Sequence, residues 1–390
     1  MKGKNNGGAH LAHAEENIPK RQKTKHKKNS NNSGESKKLS IPKIAAVMAA
    51  CTFGVLILSA VLFINSKLNL LNYSDGKYEG TGIIPDGQQT VIDTSGLESW
   101  DAPKESSLEL ADAEGVFNIL LLGTDGLELD FVDQARADSI ILLSINFEDK
   151  TAKLTSFQRG IGMPIQSGEF EGQYDLITHI FAHGGADMIM QDIRECFKIN
   201  VDKYVRVNFS ALIKVIDVLG GVDVEINELE AWYLNQIREG KSVEPYINHG
   251  FIRGDGSGED YPFVVGENHM TGSMALAYSR LRAIDSDWHR IERQRTVLQA
   301  CADGLKNADL ATLNELANEI LPLVQTNLKK TEIAELMLQA PGFLGVQFEQ
   351  LSLPEEGSYG GMTGIYQQDM LAVDFDYNSK LLHEFIYGEA

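Results

Sequence analysis

The chain has 390 residues, 43% of them hydrophobic, and a formal net charge of −20. The charge is divided unevenly. Residues 1–43 carry +8, from eleven lysines and arginines against three glutamates, and residues 44–390 carry −28. This division excludes a uniform single domain and predicts a basic arm joined to an acidic body. The arm is rich in Asn, Lys, Ser and Gly, a composition typical of disorder.

An uncharged run, IAAVMAACTFGVLILSAVLFI, occupies residues 44–64. About 20 apolar residues cross a bilayer as a helix, whereas a secretory signal has an apolar region of roughly 7–15 residues. The run therefore predicts one transmembrane helix, although LSA at residues 58–60 leaves a cleaved signal open. The positive flank predicts a cytoplasmic N-terminus and an extracytoplasmic C-terminal body.

Residues 65–115 are rich in Gly, Ser, Asp and Glu and predict a stalk between the membrane and the body. Residues 116–390 are enough for one large domain, with a core over 116–305 and a C-terminal part over 306–390. Cys196 and Cys301 either form one disulfide or are two buried small side chains. The sequence contains no CxxC and no cluster of Cys and His residues with the spacing of a zinc site.

The body begins with three apolar runs that read as strands, FNILLLG (117–123), SIILLSIN (139–146) and AKLTSFQR (152–159). A helix near 186–197 and a strand at 204–209 follow. Ser210 is then predicted to cap a helix that ends at Gly220, and VDVEI (222–226) is a further strand. Long helices are predicted over 287–305 and 311–339. This order predicts an α/β fold, with a mixed central sheet flanked by helices and preceded by one transmembrane helix.

Polar residues stand at the ends of the first three predicted strands. If these strands form a meander, the end of the first, the start of the second and the end of the third share one sheet edge. That arrangement would bring together Asp125, Arg136, Asp138 and Arg159. For any one of these residues, an ordinary polar loop position is the simpler interpretation, but the coincidence of four favours a functional site.

The stretch YSRLRAIDSDWHRIERQR (278–295) adds five arginines. If YSRLR is a strand, its period of two places Arg280 and Arg282 on one face. On the following helix the predicted apolar stripe is Ile291, Leu298, Ala302 and Leu305. Arg290 and Gln294 would then lie together on one flank, with Arg293 towards solvent and Arg293 and Arg295 less essential.

Arginine forks bind phosphate oxygens in pairs, and Mg²⁺ is commonly held by one or two carboxylates together with substrate phosphates. These residues therefore predict a site for a diphosphate-bearing substrate, while an Arg–Asp salt-bridge network on a solvated helix is the alternative. His179 and His183 have a spacing that zinc ligands also use. The first is not followed by Glu as in H-E-x-x-H, so we interpret both as core or turn residues.

Five motifs together resemble the LytR–CpsA–Psr family of extracytoplasmic proteins with a single membrane span. They are FNILLLGTDG, RADSIILLSIN, KLTSFQRG, VNFSALIKVIDVLGGVDVEI and MTGSMALAYSRLRAIDSDWHRIERQR, in the family's order and spacing. The resemblance is strong over roughly 116–305 and fainter beyond it. It implies an α-β-α fold and an enzyme of the plasma membrane of Gram-positive bacteria, which moves a glycopolymer from a polyprenyl-diphosphate carrier onto peptidoglycan as a phosphodiester.

The resemblance also implies roles for residues of this chain. Asp125 and Asp138 would hold Mg²⁺, and the diphosphate would be bound by Arg136, Arg159, Arg280, Arg282, Arg290 and Gln294. The resemblance thereby makes Asp125, Asp138, Arg159, Arg280 and Arg282 the expected catalytic set. An apolar pocket for the polyprenyl tail would lie between the sheet and the helices.

The chain departs from the family pattern at two positions. Gly160 follows Arg159 where the family often has Asp, and Leu127 stands where a basic residue is common. Gly160 leaves a non-catalytic binder of lipid-linked precursors as an alternative to an enzyme. A third alternative is a membrane-bound transcriptional attenuator. The sequence contains no DNA-reading helix-turn-helix, however, and the basic arm predicts only sequence-independent contact with nucleic acid or anionic lipid.

Overall fold

The computed structural model describes residues 59, 62–77, 92–124, 136–239, 262–281, 284, 285, 287–343 and 346–388. Its strands are β1 (Asn72–Tyr73), β2 (Val116–Thr124), β3 (Ala137–Asn146), β4 (Thr151–Phe157), β5 (Gly162–Pro164), β6 (Tyr174–Leu176), β7 (Lys203–Asn208), β8 (Val222–Ile226), β9 (Gly266–Met270), β10 (Val324–Thr326), β11 (Glu349–Leu353), β12 (Tyr359–Thr363) and β13 (Asp369–Val373). Its helices are α1 (Ile177–Phe197), α2 (Phe209–Val218), α3 (Glu228–Arg238), α4 (Gly272–Ser279), α5 (Asp287–Lys306), α6 (Leu310–Ile320), α7 (Lys330–Gln339) and α8 (Phe375–Tyr387). A short helical stretch also covers residues 62–68.

A seven-stranded mixed sheet organises the body, in the order β1-β10-β7-β2-β3-β4-β11. Strands β2, β3 and β4 form an antiparallel meander, whereas β7 runs parallel to β2 and β11 parallel to β4. The predicted mixed sheet and the predicted meander are therefore both confirmed. Strands β2, β4 and β7 end, and β3 begins, on the same side of the sheet. We call this row of strand ends the functional edge, because the motifs that carry the candidate site lie there.

One face of the sheet is fully covered and the other is partly open. On β2, Leu120 and Leu122 are buried in the main core together with α1 and α8, while Leu121 and Gly123 on the opposite face are half-buried. This alternation explains why an almost continuous apolar run forms a strand, since both of its faces meet apolar surroundings. The second face is met by α5, whose Gln299 side chain accepts from the backbone N–H of Phe348 (3.1 Å).

A second apolar core lies around α2, α3, α4, α5 and the antiparallel pair of strands β8 and β9. The predicted strand VDVEI has the expected bounds, and it pairs with β9 in a separate two-stranded sheet. Ile216 and Leu234 are fully buried in this core. Helix α2 begins two residues earlier than expected, because the side chain of Asn208, rather than Ser210, caps it by accepting from the N–H of Ala211 (2.9 Å).

The long helix predicted over 311–339 was wrong. Helix α6 ends at Ile320, and the chain then forms a 3-10 turn, Leu321–Leu323, and strand β10 before α7 begins. Pro322 lies in this turn, and proline inside a helix removes a hydrogen bond and clashes with the preceding turn. The strand that follows, Val324–Thr326, pairs antiparallel with β7.

The predicted stalk also differs from the structure. The backbone of residues 92–115 is hydrogen-bonded to the body, for example from Trp100 N–H to the Gly361 carbonyl and from Lys104 N–H to the Val373 carbonyl (both 2.9 Å). Ile92 is buried in the main core, and β1 adds an edge strand to the sheet. The polar composition that suggested a stalk therefore belongs to a segment that is attached to the body by backbone hydrogen bonds and by side chains such as Ile92.

The predicted arm (1–43) and nearly all of the predicted span (44–64) lie outside the described residues. Within the part of the chain that the structure does describe, no helix is long and apolar enough to cross a membrane. Cys196 and Cys301 are both unpaired thiols, one packed against the main core and one inside the second core. Burial raises the pKa of the Cys301 thiol to about 12.

Candidate functional site

Asp138 occupies a β-bulge at the functional edge of the sheet. Gly123 pairs with Ser139 and Thr124 pairs with Ala137, so Asp138 is the extra residue of β3. Bulges change the direction of side chains and are common beside active sites. The bulge gives Asp138 an orientation that a regular strand would not.

Guanidinium groups surround the carboxylate of Asp138, which is 17% exposed. Arg159 Nη1 lies 3.6 Å from Asp138 Oδ1, and Arg290 Nη2 donates to the Asp138 backbone carbonyl at 3.2 Å. Burial alone would raise the pKa of Asp138. The positive charges of Arg159, Arg290, Arg136 and Arg280 outweigh it and hold the pKa below its ordinary value. The predicted convergence of arginines with Asp138 is therefore present, while their roles in binding remain predictions.

The stretch before Arg280 is helical, so the condition under which Arg280 and Arg282 would share one strand face does not hold. Helix α4 covers Tyr278 and Ser279, and Arg280 is its C-terminal cap. A Cβ on Gly272 at the start of α4 would lie 2.6 Å from the Cα of Ile213, so glycine lets α4 approach α2 closely. This packing directs the end of α4 to the site, where the Arg280 guanidinium lies 4.5 Å from the Phe209 ring centre.

Arg293 is buried, at 3% exposure, so its predicted orientation towards solvent was wrong. Its Nε donates to Glu230 Oε1 (2.7 Å), its Nη1 donates to the Leu281 carbonyl (3.0 Å), and it also pairs with Asp285. The sequence pattern indicates a single apolar stripe on α5, with the remaining side chains facing solvent. In the structure α5 lies between the sheet and the second core, so side chains on both flanks of the stripe are also covered. Arg293 therefore joins α3, the residues after α4, and α5.

Arg295 and Gln294, which flank each other on α5 after Arg293, differ in their surroundings. Arg295 is also buried, and its Nη1 donates to the Leu351 carbonyl (3.1 Å) and to Ser352 Oγ (2.9 Å) of β11. Burial lowers the pKa of Arg295. Gln294, one turn after Arg290, is half-buried. Arg295 thus holds the last strand of the sheet to α5, while Gln294 remains a predicted ligand residue.

Two of the predicted site residues, Asp125 and Arg282, lie outside the described residues, as does Leu127. Arg136 is half-buried immediately before β3. The sequence did not identify Glu230 and Asp285 as the partners of Arg293. The one signal in the sequence concerns Glu230, which stands at the third position of a helix whose cap is Asn227.

The donor set around Asp138 fits Mg²⁺ only together with a phosphate. Asp138 Oδ1 is buried and accepts no hydrogen bond, so it has lone pairs available for a cation. In the described part of the chain, no group of three or more His, Cys, Asp or Glu residues has a metal-binding arrangement. A carboxylate and the oxygens of a bound diphosphate would complete such a site, and they would also offset the repulsion from the surrounding arginines.

Gly160, which stands where the family often has Asp, is tightly enclosed. A Cβ there would lie 2.7 Å from Gln158 Oε1 and 2.9 Å from Ile92 Cδ1. The Gly160 N–H donates to Gln158 Oε1, and its carbonyl accepts from Leu371 N–H (2.8 Å). The segment before the body therefore fills the space that a side chain at position 160 would need.

Restoring the family residue is expected to harm the protein. Gly160→Asp should lower the free energy of unfolding by about 1–3 kcal/mol, because an added side chain overpacks the space against Ile92 and Gln158. The double variant Ile92→Ala/Gly160→Asp should be more stable than the sum of the two single effects predicts, since alanine vacates that space. Denaturant unfolding of the four proteins measures this, and additive effects would show that Ile92 does not occupy the position.

His179 and His183 are buried side chains, as predicted. His179 Nδ1 and His183 Nε2 each lie 2.9 Å from a different oxygen of Asp175. Gln368 Nε2 donates to the same carboxylate (2.7 Å). Burial would raise the pKa of Asp175, but the hydrogen bonds with His179 and His183 outweigh it and hold that pKa below its ordinary value.

The sequence profile of the LytR_cpsA_psr family matches residues 86–381. The chain belongs to this family. The match begins before Ile92, which agrees with the attachment of residues 92–115 to the body.

Curated relatives of this chain are teichoic acid transferases. The chain is 27% identical over 273 residues to the polyisoprenyl-teichoic acid–peptidoglycan teichoic acid transferase TagV of Bacillus subtilis (strain 168), an alignment that covers 69% of this chain and 64% of TagV. It is 33% identical over 193 residues to the corresponding transferase TagT of the same strain, covering 49% of this chain and 53% of TagT. The chain therefore spans less than two thirds of the length of either relative.

The fold is similar to solved structures of the family. The structure described as TagT bound to LIIa-WTA aligns with a TM-score of 0.52 at 26% identity, covering 73% of this chain and 96% of that one. The mixed sheet flanked by helices is thus shared with a protein that was solved with a ligand.

Proposed function

We propose that this protein transfers a glycopolymer from a polyprenyl-diphosphate carrier to peptidoglycan and forms a phosphodiester bond. The observation that carries the proposal is the convergence of Arg159, Arg290, Arg136 and Arg280 on the bulged Asp138. This much positive charge around one carboxylate suits a substrate with two phosphates. The names of TagV and TagT, which describe transfer of teichoic acid to peptidoglycan, support the same reaction class.

The reaction would be a phosphoryl transfer. A sugar hydroxyl of peptidoglycan attacks the phosphorus that carries the polymer, and the bond from this phosphorus to the bridging oxygen breaks. Polyprenyl phosphate leaves with the bridging oxygen, and the hydroxyl proton is released. Arg159 and Arg290 would hold the diphosphate in line and stabilise the charge that develops on the leaving phosphate.

Asp138, together with the predicted ligand Asp125, would hold Mg²⁺ against the diphosphate oxygens. When bound, the metal would neutralise charge on the phosphates. Because four guanidinium groups already surround Asp138, their repulsion would disfavour the cation until the diphosphate is present. Metal and diphosphate should therefore bind cooperatively.

Apolar surface on the partly open side of the sheet supports a lipid-linked substrate. On this face Leu121, Leu143 and Val205 are only half-buried. We propose that the polyprenyl chain lies against this apolar surface, since burying it removes apolar area of both partners from water.

A conservative change at Arg280 should already weaken binding of the carrier. Lysine keeps the charge but loses the planar fork, so Arg280→Lys should lower the affinity for a polyprenyl diphosphate about ten- to a hundredfold, or about 1.5–3 kcal/mol. Titration of polyprenyl diphosphate measures the change. Arg194→Lys, at an exposed arginine that pairs with Asp202, is the matched control. Equal affinities for Arg280→Lys and the wild type would remove Arg280 from the diphosphate site.

We also propose that the body is extracytoplasmic and anchored by residues 44–64, on the basis of the uncharged run and the basic arm before it. Protease added to protoplasts should digest the body and leave a small anchored fragment. A body that survives until the membrane is opened would contradict this topology.

Gly160 favours one other function, a binder that retains the lipid-linked precursor without transferring it. The two functions separate when the full chain is incubated with a lipid-linked glycopolymer, peptidoglycan and Mg²⁺. An enzyme makes polymer-bearing peptidoglycan over many turnovers, whereas a binder retains at most one equivalent of the lipid-linked polymer. The proposed function predicts the first result.

A further inference from the structure

A buried arginine outside the predicted set lies behind the site. Arg206 of β7 is 2% exposed, and its guanidinium lies 4.6 Å from the ring centre of Phe181 on α1. Its Nε donates to Thr124 Oγ1 (3.2 Å) and its Nη1 to Gln325 Oε1 (3.3 Å). One side chain thus joins the ends of β2 and β7 to β10 and α1.

The hydrogen bond from Arg206 to Thr124 lies next to the bulge that contains Asp138. Thr124 is the last residue of β2, is fully buried, and pairs with Ala137 directly beside the bulge that contains Asp138. The next residue in the sequence is Asp125, the second predicted metal ligand. Thr124 Oγ1 also donates to the Val207 carbonyl (3.4 Å), so its rotamer is held on two sides.

We propose that Arg206 is a positioning residue, which fixes Thr124 at the end of β2 and thereby holds the neighbouring bulge in the geometry that presents Asp138 to the metal and the diphosphate. This inference rests on the proposed function. Two features suit Arg206 to that role. The ring of Phe181 stabilises a buried cation, and the planar fork reaches Thr124 and Gln325 at once. Groups that orient metal ligands typically change metal affinity 10- to 100-fold when they are removed.

A double-mutant cycle between Arg206 and Thr124 tests the proposal. The variants Arg206→Lys, Thr124→Val and their combination would be compared in the full chain, because valine keeps the shape of threonine and removes Oγ1. The matched control is the cycle between Arg206 and Gln325, with Gln325→Ala, since Gln325 receives the other hydrogen bond but lies away from the bulge. Mn²⁺ binding in the presence of polyprenyl diphosphate, measured by electron paramagnetic resonance, is read beside kcat, KM and thermal unfolding.

We expect Thr124→Val and Arg206→Lys each to weaken Mn²⁺ binding about tenfold and to lower kcat with little change in KM for the lipid. The double variant should bind Mn²⁺ no more weakly than either single one. Gln325→Ala should change Mn²⁺ affinity much less than Thr124→Val does, because Gln325 holds the same guanidinium but lies away from the bulge. Unchanged Mn²⁺ affinity in variants that only unfold earlier would reduce Arg206 to a structural residue and overturn the proposal. If the wild type transfers polymer and the variants do too, only the positioning role fails. A wild type that neither binds Mn²⁺ nor transfers polymer would contradict the proposed function as well.

Discussion

Asp138→Asn is expected to lower the rate of polymer transfer by at least about 100-fold, since asparagine keeps the size of the side chain but removes its charge. The four arginines around this position would then have one counter-charge fewer, so the change should act on the chemistry and not only on substrate affinity. Steady-state kinetics with a lipid-linked glycopolymer should show the loss mainly in kcat.

Stability has to be measured beside activity for this variant. The pKa of Asp138 is depressed in the folded protein, so its carboxylate contributes stability that is present above the unfolded pKa and is lost as the pH falls through the folded pKa. At neutral pH Asp138→Asn should lower the free energy of unfolding by about 1–3 kcal/mol. Asp202→Asn, at an exposed residue that precedes β7 at the opposite edge of the sheet, is the control for both measurements. A folded Asp138→Asn protein with wild-type kcat would contradict the assignment of this site.

Arg293→Ala should have the largest effect on stability, a loss of about 3–5 kcal/mol in the free energy of unfolding. Removing the guanidinium leaves Glu230, whose side chain is 8% exposed, without its cation, and also ends the ion pair with Asp285. Denaturant unfolding measures the loss. Lys214→Ala, which ends an exposed ion pair with Glu319, should cost only about 0–1 kcal/mol.

The same variant separates stability from substrate binding. The donors of Arg293 are directed to Glu230, Asp285 and the Leu281 carbonyl, so polyprenyl diphosphate should bind to folded Arg293→Ala protein almost as tightly as to the wild type. A loss of less than about 1 kcal/mol in stability would contradict the structural role. A hundredfold loss of lipid affinity in folded protein would instead place Arg293 among the ligand residues.

The sheet and its functional edge could be predicted because both depend on short-range patterns. Apolar runs bounded by polar residues located β2, β3 and β4, and a meander is the simplest connection of three consecutive strands. Once the meander was assumed, Asp138 and Arg159 had to lie at one edge. The motif resemblance then supplied the chemistry that these residues would share.

The failures came from contacts between distant parts of the chain. Arg293 looked solvent-exposed because its partner Glu230 lies 63 positions earlier, on another helix. The polar segment 92–115 looked like a stalk because backbone hydrogen bonds to the body leave no trace in side-chain composition. The assumption of a strand at YSRLR failed because the residues before Arg280 form a helix, which packs closely on α2 through Gly272.

The fate of the two phosphorus atoms of the carrier tests the central claim most directly. The full chain would be incubated with peptidoglycan, Mg²⁺ and a glycopolymer linked to a polyprenyl diphosphate whose polymer-side phosphorus is labelled. Phosphoryl transfer guided by the arginines around Asp138 predicts that the label moves into a phosphodiester on peptidoglycan, with one polyprenyl monophosphate released for each polymer attached. Release of polyprenyl diphosphate with the label still on the lipid, or tight binding without any transfer, would contradict it.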